Sequence, residues 1–171
     1  MAKSANCVIT KLFDIYHGNK FDLNKMTVLS SVGEGVSFVG RSASKNGVVA
    51  EVAVLSNVAP YSAGAITVAL GGSALSSFVQ PRPFYTAQNI DVLVPKFDMT
   101  LDMKLYYCLC IEANRFRYST FGREANRTLR YLQLPDKMST PEWVAGATNR
   151  AVKELSRDLL KVVGSEYDNL S

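Results

Sequence analysis

The chain has 171 residues, 47% hydrophobic and 20% charged, with a formal net charge of +4 and a pI near 9.0. That length carries one domain with a real core plus an appendage, and the composition excludes a disordered chain. Cys7, Cys108 and Cys110 form no CxxC pair, and no apolar run reaches the roughly 18 residues that cross a bilayer, so a disulfide framework, a zinc site and a membrane span are not expected.

The N-terminal MAKSANCVITKLF lacks the long apolar core of a secretory signal, which makes a reducing cytoplasm the expected compartment. Val8 to Ile15 reads as a strand or a short helical turn, broken by His17-Gly18-Asn19. Asp22 is a candidate cap for one helical turn, and Lys20 sits on the loop before it.

VSFVG and VVAEVAVL then read as two strands around the loop RSASKNG, where Asn46-Gly47 is a turn signal. Arg41, Ser42, Lys45 and Asn46 on that loop are either a solvated hairpin tip or a set of donors for phosphates and base edges. Gly64 to Leu70 is apolar and rich in β-branched residues, as in a buried strand. Gly71-Gly72-Ser73 lacks the following Lys of a phosphate-binding P-loop and reads as a turn. Ala74 to Gln80 reads as another strand.

The segment QPRPFYTAQN carries Arg82, Tyr85, Gln88 and Asn89 and is expected to be a proline-stiffened loop before the strand IDVLVP. Arginine pairs bidentately with guanine and glutamine or asparagine with adenine, so this loop is a candidate for base readout. Gln88 and Asn89 satisfying backbone groups of the turn is the equal alternative. Thr100 caps an expected helix, LDMKLYYCLCIEAN, whose apolar residues fall nearly all round, as for a helix packed on most sides.

Arg115 to Arg130 holds five arginines and one acid, Glu124, so its net +4 equals that of the whole chain. Placed charge of this kind suits a polyanion, and Arg123, Asn126 and Arg127 are its candidate contacts. Leu129 to Leu134 reads as a last strand. Thr140-Pro141-Glu142 signals a helix start, and Val144, Ala147, Ala151, Leu155, Leu159 and Val162 form one apolar stripe that Gly164 should end.

One histidine, His17, and no nucleophile-elbow serine leave little for a catalytic triad. No dinucleotide fingerprint or HExxH stands in the sequence, so no cofactor, metal or chemistry of its own is expected.

The ordered series KLFDIYHGNKFDL, VSFVGRSASKNGV, GAITVALGG, SFVQPRPFYTAQNIDVLVPK, MTLDMKLYYCLC and FGREANRTLRYLQLP resembles the target-recognition domain of restriction-modification specificity subunits, in the flavour of type I and type IIB/IIG systems. The resemblance covers roughly residues 8 to 138. It implies an α+β domain with a curved, mostly antiparallel β-sheet and a packed helix over residues 1–138, and a C-terminal amphipathic spacer or dimerisation helix over residues 139–171. It further implies a non-catalytic reader of double-stranded DNA that works with methyltransferase and nuclease subunits or as a homodimer. The alternative is a protein-interaction module or decoy with little DNA affinity. The residues expected at DNA are Lys20, Arg41, Ser42, Lys45, Asn46, Arg82, Tyr85, Gln88, Asn89, Arg123, Asn126 and Arg127, with specificity in the loops at Arg41 to Asn46 and Arg82 to Asn89.

Overall fold

The computed structural model describes residues 5–31, 33–118 and 128–168, in two compact units, Met1–Thr140 and Pro141–Ser171. Within the first unit the described strands are β1 (Asn6–Val8), β2 (Phe13–His17), β3 (Val36–Val39), β4 (Val48–Val52), β5 (Ile66–Ala69), β6 (Ser77–Val79), β7 (Phe84–Thr86), β8 (Ile90–Pro95) and β9 (Gln133–Pro135), with one α-helix, α1 (Leu101–Glu112). Pairing is distributed over a four-stranded antiparallel sheet ordered β2-β8-β5-β6, a three-stranded sheet ordered β4-β3-β7, and the antiparallel pair β1-β9. Only β3 and β7 pair in parallel among these ladders. This is the expected α+β class, rich in antiparallel pairs.

Every residue of β5 is buried, as its unbroken apolar run requires of a central strand. The main core lies between the four-stranded sheet and α1, where Phe13 meets Tyr107 edge to face at 5.5 Å. A second cluster, Val36, Phe38, Val52 and Tyr85, fills the three-stranded sheet, and Val39, Ala65, Phe84 and Val92 form a third.

Thr100 caps α1 as expected, its Oγ1 accepting from Met103 N at 3.3 Å. The helix is not enclosed on most sides, however. Tyr107, Cys108 and Ile111 are buried, while Leu101, Leu105 and Leu109, spaced by four, are exposed along another side. Apolar residues all round the helix do not mean burial all round, because one sheet face covers only one stripe.

The stretch Val8 to Ile15 takes both of its expected forms, a 3-10 turn, Ile9–Lys11, followed by the start of β2. Two other expectations change. The Pro81–Asn89 segment contains a strand, β7, preceded by both prolines; Pro83 joins β3 only as an acceptor, its carbonyl taking the Ser37 N–H at 3.1 Å. The last strand is shortened to β9 because Leu129–Tyr131 forms a 3-10 turn that buries Leu129.

In the second unit the helix α2 runs Ala147–Asp168, so Thr140 does not cap it and Gly164 does not end it. Pro141 instead precedes a 3-10 turn, Glu142–Val144, and Gly146 at φ 71° redirects the chain. The Arg150 guanidinium donates to the carbonyls of Trp143 and Ala145, which fixes that entry. Val152, Leu155 and Leu159 are exposed on α2, three apolar positions at helical spacing.

Candidate nucleic-acid interface

Three loops present the polar residues expected at DNA. The first follows β2. Gly18 N donates to Ile90 O at 2.9 Å, and a Cβ on Gly18 would lie 2.0 Å from Thr86 Oγ1, so this approach of loop to strand needs glycine. Asn19 N donates to Thr86 Oγ1 (2.8 Å), Thr86 N donates to Asn19 Oδ1 (3.1 Å), and Phe21 N donates to Thr86 O (3.0 Å). Between these clamps Lys20 is exposed at φ 61°. Asp22 then caps the turn Leu23–Lys25 through Asn24 N, as its position in the sequence predicts.

The second loop joins β3 to β4. A register shift at Phe38/Val39 leaves Val49 unpaired as a bulge beside it. Gly40 N donates to Gly47 O (2.8 Å), Gly47 N to Ser44 O (2.9 Å), and Ser44 N to Ser42 Oγ (3.2 Å). Lys45, Asn46 and Gly47 are consecutive left-handed residues at φ 52°, 54° and 75°. Gln80, fully buried, donates its Nε2 to Asn46 O at 2.9 Å and to Thr67 Oγ1 at 2.8 Å, tying the turn to the core from below. Arg41, Lys45 and Asn46 are exposed and Ser42 half-buried.

The third loop turns from β7 into β8 through Gln88, exposed, and Asn89, half-buried at φ 59°, whose carbonyl accepts from Leu70 N at 2.9 Å. These loops meet around two surface depressions of about 340 and 420 Å³, both lined by Phe21, Asp22 and Gln88. Arg41 borders the first, and Lys20 and Lys25 border the second. Two cations and an amide from three separated segments are thus brought to one surface. Lys25 joins them; sequence reading passed over it because it sits inside a capped turn rather than at a break.

Two expected contacts are corrected. Tyr85 is completely buried: its hydroxyl donates to Val58 O at 2.5 Å and accepts from Leu55 N at 3.2 Å, while Phe21 packs against its ring. Arg82 is committed to the domain. Its guanidinium forms a two-point pair with the buried Glu51 at 2.7 and 2.9 Å and also donates to Gly35 O at 3.0 Å. That hydrogen bonding holds the Glu51 carboxyl below its ordinary range despite burial, and the same bond raises Arg82. In the arginine stretch, Arg115 likewise serves the fold, donating to Ala74 O and Ser76 Oγ at 3.0 Å each. Arg123, Asn126 and Arg127 lie outside the described residues.

Among the described residues Lys20, Arg41 and Lys45 make no ion pair. Cations and amides lifted on adjoining loops are the kind of arrangement that attracts a polyanion. Residues 6–133 match the family described as Type I restriction modification DNA specificity domain, and the chain belongs to that family. It is 28% identical over 150 residues to the type II restriction enzyme BgcI specificity subunit S.BcgI of Heyndrickxia coagulans, a match spanning 84% of this chain and 41% of that protein. Its fold is similar to a type I restriction-modification S subunit from M. genitalium (TM-score 0.54, 14% identity, 93% of this chain and 43% of that one). It is also similar to the HsdS subunit from Thermoanaerobacter tengcongensis (TM-score 0.62, 14% identity, 92% and 40%). The chain therefore spans about two-fifths of the length of these relatives. Among the described residues no helix is long and apolar enough to cross a membrane.

Proposed function

We propose that this chain is a single target-recognition domain that binds double-stranded DNA sequence-specifically, without chemistry of its own, on behalf of methyltransferase and nuclease subunits. Lys20, Arg41 and Lys45 hold phosphates, Ser42, Asn46 and Asn89 support them, and Gln88 reaches a base edge. The observation that carries this reading is left-handed backbone at two exposed lysines, Lys20 at φ 61° and Lys45 at φ 52°. For lysine this costs about 1 kcal/mol or more with no packing in return, and strain of that kind concentrates at functional sites.

Counterion release makes the test direct. Affinity for a duplex should fall steeply with salt, with a slope of about −0.9 per phosphate neutralised, and Lys20→Ala or Arg41→Ala should each reduce that slope by about 1. Selecting bound duplexes from a random pool then reads out the sequence, and Gln88→Ala should relax preference at one position by about 1–3 kcal/mol. A flat salt response would sink this reading.

The exposed leucine stripe of α1 and the apolar stripe of α2 support a second role, docking to the partner subunits or pairing of α2 with a second copy. If protein docking were the whole function, the chain would bind such subunits without DNA and show no salt-dependent duplex affinity.

A further inference from the structure

His17 and Asp91 stand directly opposite each other on the antiparallel strands β2 and β8, and their side chains meet, Nδ1 to Oδ1, at 2.7 Å. The two ends of this pair differ in environment. The Asp91 side chain is 3% exposed, whereas that of His17 is 55% exposed. The buried carboxylate thus grips one ring nitrogen and leaves Nε2 at the surface, three residues before Lys20. Lys20 and Arg130 both lie close enough to act electrostatically on Asp91. Arg130, exposed on the Leu129–Tyr131 turn, is the last residue of the arginine stretch. We propose that His17, oriented by Asp91, forms with Lys20 and Arg130 a seat for a DNA phosphodiester, and that His17 makes its contact only as the imidazolium.

This rests on the DNA-binding reading and adds a proton to it. With Nδ1–H donated to Asp91, a neutral ring turns the Nε2 lone pair outward, toward which a phosphate oxygen is repelled. Protonation converts Nε2 into a donor and leaves the bond to Asp91 intact. It also changes the charge of the cluster. Lys20 and Arg130 against Asp91 leave one net positive charge, and the His17 proton makes two. Burial raises the Asp91 carboxyl above its ordinary value, opposed by His17, Arg130 and Lys20, so the carboxylate itself gains from a full charge on the ring. The other titratable groups facing the pair are Tyr16 and Tyr61, whose hydroxyl donates to His17 O at 3.2 Å and which burial raises further above its ordinary value, so that it stays neutral near pH 7. Binding of a phosphodiester therefore takes up a proton, and duplex affinity rises as pH falls through the histidine range.

His17 is the single histidine of the chain, so its ring protons in the NMR spectrum of the full chain need no assignment. The experiment titrates that signal with pH, alone and saturated with a random-sequence 20-base-pair duplex at low salt. The expected result is an upward shift of the midpoint by about one pH unit, equivalent to a roughly tenfold preference of the duplex for the protonated form. His17→Gln should remove the matching pH dependence of duplex affinity between pH 6 and 8. A duplex that binds but leaves the midpoint unmoved overturns the inference. Failure of any duplex to bind at low salt overturns the DNA reading itself, and this inference with it.

Discussion

Arg82 and Glu51 lie 31 positions apart in the sequence and meet in a two-point ion pair, at 2.7 and 2.9 Å, beneath the three-stranded sheet's β3–β4 ladder. The pair links the start of β7 to β4, and Glu51 Oε1 also accepts from Gly33 N at 3.4 Å. Arg82→Ala leaves a buried carboxylate without its partner. The urea unfolding midpoint should fall, with the salt slope of duplex binding unchanged for the folded fraction.

The same pair sets a response to acid. Glu51 has a depressed folded pKa, so its contribution is fully present above the unfolded value of 4.5 and is lost as pH falls through the lower folded one. Melting temperature should therefore drop below about pH 4.5. Glu51→Gln should start less stable and show a flatter decline over that window.

Lys20→Gly and Lys45→Gly separate stability from binding. Each replaces a left-handed lysine by the residue that tolerates that conformation, so thermal stability should rise by up to about 1 kcal/mol or stay level. Duplex affinity should fall for both. A variant that loses stability and affinity together would show that these lysines are there for the fold.

Tyr85→Phe probes the corrected assignment. Loss of the hydroxyl leaves the Val58 carbonyl and the Leu55 amide without a partner inside the domain, which should cost about 1–2 kcal/mol. Sequence preference, measured by selection from a random pool, should be that of the wild type.

Leu155→Asp tests the exposed stripe of α2. If α2 pairs with a second copy, light scattering should find a concentration-dependent dimer for the wild type and a monomer for the variant. Identical masses would exclude pairing through this face.

The exposure of several candidate residues was legible because its signals are local. A cation at a chain break, as at Lys20, or an Asn-Gly turn between two β-branched runs, as at Asn46-Gly47, declares exposure within a few residues. Arg82 and Tyr85 carry the same surface-like signal, a polar tip beside prolines, yet both turn inward. What decides them is remote: Glu51 for one, and the Val58 carbonyl and Phe21 ring for the other. The α1 leucines err in the opposite sense, since hydrophobicity is read from the chain whereas burial depends on which faces find a neighbour. The family resemblance located the domain but could not say which of its arginines were already engaged.

The pairing of β1 with β9 sets Asn6 opposite Pro135, and Asp136 N donates to Ala5 O at 2.9 Å. The first and last strands of this unit are therefore hydrogen-bonded to each other, so the two ends of the fold lie one strand spacing, about 5 Å, apart and are closed by the same ladder.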